Sequence, residues 1–144
     1  MLKSIESFPI TTIIQPWGTE TTIARTAEYT GKLLFYRAGY GGGLQYHMLK
    51  DESFYLHQGQ ALVKFDPGHG AIVEVHMGPG ESYHIPPGAP HQFLALTDCT
   101  VFEASTVADN DRVNVGQRYG QPPDAGTLPT TWSDEAIRAF EGAL

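Results

Sequence analysis

Four side chains with the donor types that divalent metals accept lie in two short stretches far apart in the sequence. The first stretch supplies Gln45, His47 and Glu52, and the second supplies His91. Imidazole, carboxylate and amide oxygen suit first-row divalent ions without any thiolate. Side chains two apart on a strand share a face, so Gln45 and His47 project together. The pattern predicts a divalent metal site, for Zn, Fe, Mn or Ni, where the two stretches meet.

The neighbours of these residues set conditions on the local fold. Leu49 stands two residues after His47, and on one continuous strand it forms an apolar wall on the same face. The odd separation of His47 and Glu52 requires a corner or bulge near Lys50 that re-aims Glu52 inward. A buried carboxylate costs several kcal/mol unless a cation or good partners offset it. A metal-free hydrogen-bonded network is the alternative to a metal site.

Short alternating strands joined by tight turns predict an all-β barrel. Residues 11–14, 20–29 and 31–38 are typical of strands, and the 16 Gly and 10 Pro are spread through the chain as turns. Residues 61–65 and 71–77 alternate with an apolar inward set, as an antiparallel barrel wall requires. Ser133 and the acidic residues after it predict the start of a short C-terminal helix.

The two stretches resemble the paired motifs of the cupin superfamily. The second motif is complete, and the first is present with two departures, which are Leu49 in place of a second His and a short spacing to the Glu. The departures are similar to the cupins related to phosphomannose isomerase, whose first motif contains a Gln-x-His pair. The matching positions are Gly41, Gln45, His47, Lys50, Glu52 and Gly59 in the first motif, and Gly80, Pro86, Gly88 and His91 in the second.

The resemblance, which covers residues 15–121, implies one cupin domain over residues 1–144. The implied fold is a jelly-roll β-barrel, also called a double-stranded β-helix, with a C-terminal extension and a helix near residues 133–142. Gln45, His47, Glu52 and His91 are the implied metal ligands. A homodimer is also expected, because the edge strands within residues 11–29 need covering.

Three functional hypotheses follow. The first is a metal-dependent isomerase of a small sugar or sugar phosphate, with Lys50 and His84 as candidates for proton transfer. Arginines that related enzymes carry are replaced by Asn114 and Gln121; Arg112, Arg118 or Lys32 are the possible substitutes for a phosphate contact, and an uncharged substrate is the alternative.

The second hypothesis is a mononuclear iron oxygenase, since His47, Glu52 and His91 form a two-histidine, one-carboxylate set. Its aromatic surroundings are expected to be Tyr46, Phe54, Tyr55 and Phe93. The third is a non-catalytic small-molecule-binding domain, because a fold does not fix a function.

Composition argues against several other classes of protein. The formal charge is −7, with 9 Lys and Arg against 16 Asp and Glu and no basic cluster, which disfavours nucleic acid and anionic membranes as partners. Neither an apolar membrane span nor a signal peptide is recognisable. The single cysteine, Cys99, is expected to be a small buried residue, and a cytoplasmic location is expected.

Overall fold

Eleven β-strands form the body of the protein in a computed structural model that describes residues 1–123 and 128–144. The strands are β1 (Thr11–Gln15), β2 (Gly18–Arg25), β3 (Thr30–Tyr36), β4 (Gln45–Tyr46), β5 (Glu52–Gln58), β6 (Ala61–Phe65), β7 (Val73–Met77), β8 (Ser82–Ile85), β9 (His91–Ala95), β10 (Cys99–Ser105) and β11 (Val113–Asn114).

Two antiparallel sheets face each other across the core. One has six strands in the order β1-β2-β3-β10-β5-β8, and the other has five in the order β11-β4-β9-β6-β7. Strands distant in sequence are neighbours in both sheets, which is the connectivity of a jelly roll. The prediction of an all-β jelly-roll barrel is confirmed.

Alternating side chains on the inner strands build the core. Leu56, Ala61 and Met77 are completely buried, and Val101 from β10 packs with them. Cys99 belongs to the same cluster, as predicted. The prediction that alternate residues of β7 face the core holds only at its end, where Met77 is buried. β7 is the free edge of its sheet, and its first residue, Val73, remains exposed.

A short helix, α1 (Asp134–Gly142), covers the outer face of the five-stranded sheet. Ser133 caps it as predicted, since its side chain accepts a hydrogen bond from the backbone N–H of Ala136. Ile137 is the buried residue of the helix and packs with Tyr46 and Val113. In the part of the chain that the structure describes, no helix is long and apolar enough to cross a membrane.

Candidate metal centre

His47, Glu52 and His91 come together inside the barrel. One potential ligand atom of each lies within 4.8 Å of the other two. The Nε2 atoms of His47 and His91 are 3.5 and 3.2 Å from Oε1 of Glu52, and all three side chains are nearly buried. Two imidazoles and a carboxylate at these distances fit a divalent ion and leave further coordination positions open.

Hydrogen bonds to the backbone orient both imidazole rings. Nδ1 of His91 donates to the carbonyl of Ala89 at 2.9 Å, and Nδ1 of His47 donates to the carbonyl of Asp111. A carbonyl can only accept, so each neutral ring carries its proton on Nδ1 and its lone pair on Nε2. Both lone pairs belong to the atoms that face Glu52, which is the arrangement a metal ion requires.

Asp111 holds the corner between β4 and β5, where the spacing of the first motif predicts an interruption. Its buried carboxylate accepts hydrogen bonds from the backbone N–H groups of Met48, Leu49 and Lys50, and from Nε1 of Trp132. These bonds outweigh the effect of burial and lower the pKa of Asp111. The sequence reasoning did not identify this residue, because nothing in the spacing connects it to the first motif.

Gly88 joins the two motifs directly. Its N–H donates to the carbonyl of His47 at 2.8 Å, so the loop that leads to His91 is tied to the strand end that carries His47. Gly88 has a φ of +85°, a left-handed conformation that glycine adopts without strain. The glycine of the second motif therefore contributes to the alignment of the two histidines.

Gln45 lies next to the cluster in the sheet. It is the direct cross-strand partner of His91 on one side and of Asn114 on the other. Cross-strand partners share a face, so the three residues form one row on the barrel interior. The role of Gln45 as an amide donor to the metal stays a prediction, because the ligand atoms brought together here belong to His47, Glu52 and His91. Asn114 donates to the carbonyl of Leu128 at 2.7 Å, and its Oδ1 is buried without a hydrogen-bond partner among the described residues.

A chain of buried charges extends from Glu52 across the six-stranded sheet. Nζ of Lys50 lies 3.1 Å from Oε2 of Glu52 and 3.1 Å from Oε1 of Glu103. The cross-strand neighbour of Glu103 on β3 is Lys32, which pairs with Glu20 at 2.6 Å. The interior is therefore lined by alternating negative and positive groups that compensate one another.

These contacts fix the charge of Lys50. Burial acts to lower its pKa, but Glu103 and Glu52 outweigh this effect, so the pKa of Lys50 lies above its usual range. Burial acts to raise the pKa of Glu52, yet a hydrogen bond with Glu103 and the charge of Lys50 hold it below its usual range. Burial and the neighbouring Glu52 raise the pKa of Glu103 to about 7. The two carboxylates therefore favour the cationic form of Lys50, which makes it poorly suited to accept a proton.

The structure does not bring two of the other residues to the cluster. Leu49 is 62% exposed, because β4 ends at Tyr46 and the alternation of faces does not continue to residue 49. His84 is exposed and lies 2.6 Å from Asp51, on the outer face of β8. Leu49 is thus not an inner wall, and His84 lies away from the cluster with its ring paired to Asp51.

Aromatic rings form the inner wall beside the cluster. Phe54 and Phe93 face the interior and meet edge to face at 5.9 Å, and Phe93 also contacts Tyr36. Of the other aromatic residues expected around the site, Tyr55 is on the outer side of β5 and Tyr46 packs against the C-terminal helix. The wall is apolar next to the ligands and charged on the side of Lys50.

Two cavities lie outside the cluster. One, of about 440 Å³, is between the 66–70 turn and the C-terminal helix, where Tyr119 donates to Asp66 and Arg118 pairs with Glu141. The other, of about 350 Å³, is on the outer side of the six-stranded sheet. Neither cavity is lined by the three ligand residues.

Comparisons with known proteins agree with this architecture. The family model for the cupin domain matches residues 33–104, which is half of the chain. No curated protein matches the sequence. Among solved structures, the capsular polysaccharide assembling protein CapF from Staphylococcus aureus has 21% identity and a TM-score of 0.65; the match covers 75% of this chain and 32% of CapF.

Two further structures share the fold. KdgF from Halomonas has 19% identity and a TM-score of 0.61, with 72% of this chain and 90% of that chain covered. Oxalate decarboxylase from Bacillus subtilis has 18% identity and a TM-score of 0.62, with 92% and 34% covered. The chain spans about a third of the length of CapF, and these identities indicate a common fold. The interior ligand cluster, the two-sheet barrel and the family match together identify the chain as a member of the cupin superfamily.

Proposed function

We propose that this cupin is a divalent-metal-dependent enzyme that isomerises a small, unphosphorylated sugar-like substrate. The observation that carries the proposal is the pair of oriented Nε2 atoms facing Oε1 of Glu52 inside the barrel. An ion held by His47, Glu52 and His91, with Gln45 as the fourth donor, supplies Lewis-acid polarisation of a carbonyl or hydroxyl group.

Glu103 is the group suited to move a proton. Burial and the neighbouring Glu52 raise its pKa, and Lys50 links it directly to Glu52. Lys50 stays protonated between Glu103 and Glu52, and its role is to hold both carboxylates in place. This assignment replaces Lys50 and His84 as the candidates for proton transfer.

The paired state of the cations supports an unphosphorylated substrate. Lys32 is bound to Glu20, and Arg118 is bound to Glu141 on the outer side of the barrel. The guanidinium of Arg112 is directed to the carbonyl of Pro129 at 3.5 Å. A phosphate needs charged or backbone donors that converge on it, and these three cations are already engaged elsewhere.

The apolar wall beside the cluster supports a small ring-bearing or chain-form polyol as the substrate. Phe54 and Phe93 offer flat apolar surfaces to its carbon skeleton, while Gln45 offers an amide for its hydroxyl groups. A capsular polysaccharide assembling protein and an oxalate decarboxylase share this fold, so the fold accommodates different chemistries. The assignment of a reaction to this chain must therefore rest on its site residues.

The decisive experiment measures solvent exchange at carbon. Protein purified without added metal is analysed for metal content and then incubated in D₂O with a panel of aldoses and ketoses, with deuterium incorporation next to the carbonyl followed by NMR. Incorporation that requires metal and disappears in Glu52→Gln supports the proposal. The matched control is Glu74→Gln, which removes an exposed carboxylate on β7. A metal-loaded protein that exchanges no substrate of the panel contradicts the isomerase.

A mononuclear iron oxygenase is the second candidate, favoured by the composition of the cluster itself. Two histidines and one carboxylate leave open positions for O₂ and substrate on iron. Substrate-dependent O₂ uptake by the Fe²⁺-loaded protein, absent in His47→Ala, would select this reaction over isomerisation. Protein that binds no divalent ion contradicts both enzymes and supports a non-catalytic binding domain.

A further inference from the structure

Tyr36 places a hydroxyl group on the inner wall of the barrel. It is the last residue of β3 and follows the exposed Phe35, so its side chain shares the inward face of the strand with Leu34 of the core. Its ring stacks on Trp17 at a centroid distance of 4.2 Å and meets Phe93 at 4.7 Å. The ring of Tyr36 is therefore held from two sides.

The hydroxyl of Tyr36 has no hydrogen-bond partner among the residues that the structure describes. Tyrosine hydroxyls inside proteins usually find a partner, so an unpartnered one needs an explanation. Within the same described residues, the buried polar side-chain atom that lacks a partner is Oδ1 of Asn114. The Tyr36 oxygen is not sealed off in this way, and it stays open to the interior of the barrel.

Charged groups of the candidate metal centre act on this hydroxyl. Burial raises the pKa of Tyr36, and the carboxylates of Glu103, Glu52 and Glu20 raise it further. The hydroxyl therefore lies within electrostatic reach of the cluster and keeps its proton at neutral pH. A neutral phenol can donate a hydrogen bond to a ligand without giving up its proton.

The interior is more open on the side of the strand that carries Tyr36. The exposed fraction of the side chain rises from 6% at Glu52 to 11% at Glu103 and 21% at Lys32. Lys32 and Tyr36 lie on the same face of β3. A small molecule that reaches the cluster from this side lies against the wall to which Tyr36 belongs.

We propose that Tyr36 is a specificity-determining residue whose hydroxyl donates a hydrogen bond to an oxygen atom of the substrate. This inference rests on the proposed function, since it requires a sugar-like molecule at the ion held by His47, Glu52 and His91. The acceptor is a carbonyl, ring or hydroxyl oxygen that is not bound to the ion. The carboxylates near Tyr36 repel an anionic group at this position, so the oxygen belongs to an uncharged part of the substrate.

Tyr36→Phe tests the proposal, because it removes the hydroxyl and keeps the ring. Tyr55→Phe, on the exposed outer side of β5, is the matched control. Calorimetry measures the binding of the panel of aldoses and ketoses to metal-loaded protein. We expect Tyr36→Phe to weaken the tightest-bound sugar about tenfold through the loss of one hydrogen bond, and Tyr55→Phe to leave its affinity unchanged.

The same variant distinguishes a substrate contact from a structural role. Because the hydroxyl bonds no described protein group, the metal affinity and the Tm of Tyr36→Phe should equal those of the unmodified protein. A lower Tm or metal affinity with unchanged sugar binding would show that the hydroxyl supports the fold or the ion, and it would overturn the proposal.

Two further measurements use the unmodified protein. One monodeoxy form of the same sugar should bind about tenfold more weakly than the parent sugar, and it should bind Tyr36→Phe and the unmodified protein equally well. In NMR spectra of protein labelled at the tyrosine Cζ atoms, the Tyr36 signal is identified by its absence from Tyr36→Phe. Addition of the sugar should move this signal and leave that of Tyr55 in place.

The outcomes separate this inference from the proposed function. A sugar that binds through Tyr36 but exchanges no deuterium supports the inference and contradicts the isomerase. Deuterium exchange whose kcat and KM are unchanged in Tyr36→Phe overturns the inference and leaves the isomerase intact. The inference is also overturned by a Tyr36 signal that no bound sugar moves. Metal-loaded protein that binds no sugar of the panel contradicts both.

Discussion

Replacing Lys50 with methionine separates the electrostatic role of this residue from a catalytic one. In the structure its ammonium group is the cation shared by two buried carboxylates, at 3.1 Å from each. Methionine keeps most of the apolar stem but leaves Glu52 and Glu103 facing each other without compensation. The variant should therefore be less stable than the unmodified protein. The loss should be smaller when a bound metal ion or a proton neutralises one of the two carboxylates.

The expected loss follows from the burial of the three groups. Removing one partner of a buried ion pair costs about 3–5 kcal/mol, whereas exposed pairs are worth about 0–1 kcal/mol. We expect about 3 kcal/mol for metal-free Lys50→Met, the lower end, because Glu103 can take up a proton. For a domain of this size, about 3 °C per kcal/mol converts the loss into about 10 °C in Tm.

Thermal unfolding with and without a saturating divalent ion is the assay. A bound ion beside Glu52 replaces the missing positive charge, so the loss in the metal-loaded variant should be less than half of that in the metal-free variant. The double variant with Glu103→Gln should recover stability, because it removes one of the two uncompensated carboxylates. Lys64→Met is the matched control: Lys64 pairs with the more exposed Glu74 at 3.2 Å and should cost less than about 1 kcal/mol. Equal losses at Lys50 and Lys64, with no effect of metal, would refute the reasoning.

The remaining predictions concern the ligands and their support. His47→Ala and His91→Ala should abolish binding of a divalent ion in calorimetry, whereas Gln45→Ala should weaken it more mildly, since three donors remain; equal losses would make Gln45 an equal ligand. Leu49→His should leave metal affinity unchanged because residue 49 is exposed, and tighter binding would contradict the corner after β4. Asp111→Asn should lower stability at pH 7 by about 2 kcal/mol through weaker hydrogen bonds to the corner. Because folding lowers the pKa of Asp111, its ionised carboxylate stabilises the protein above pH 3.8, which is the ordinary pKa of the group, and this stabilisation is lost as the pH falls below 3.8. The free energy of unfolding of Asp111→Asn should therefore change less between pH 5 and pH 3 than that of the unmodified chain.

The fold was predictable because its signals are local and repeated. Alternation on β5 and β6 determines which side chains face the core, and the complete second motif determines the loop before His91. The same alternation places Glu103 between Val101 and Ser105 on the inward register of β10. A carboxylate at such a position indicates a buried charged group that needs a partner.

Other features of the site could not be predicted from spacing. A continuous strand would place Leu49 on the inner face, but the backbone leaves the sheet after Tyr46. The cause is Asp111, which binds three successive N–H groups from more than sixty residues away in sequence. Contacts between a side chain and a distant backbone have no periodicity, so they become visible only in three dimensions.

The support for His47 therefore lies outside the region that carries the family motifs. All four candidate ligands are within residues 33–104, the part matched by the cupin family model. The carbonyl that orients His47 and the carboxylate that holds its corner both belong to Asp111, and Trp132 binds the same carboxylate just before α1. Loss of a group that orients a metal ligand often lowers metal affinity by factors of about 10–100. Two cupins with identical ligands can thus differ in metal affinity through the segment after β10, and in this chain that segment is anchored by the packing of the C-terminal helix.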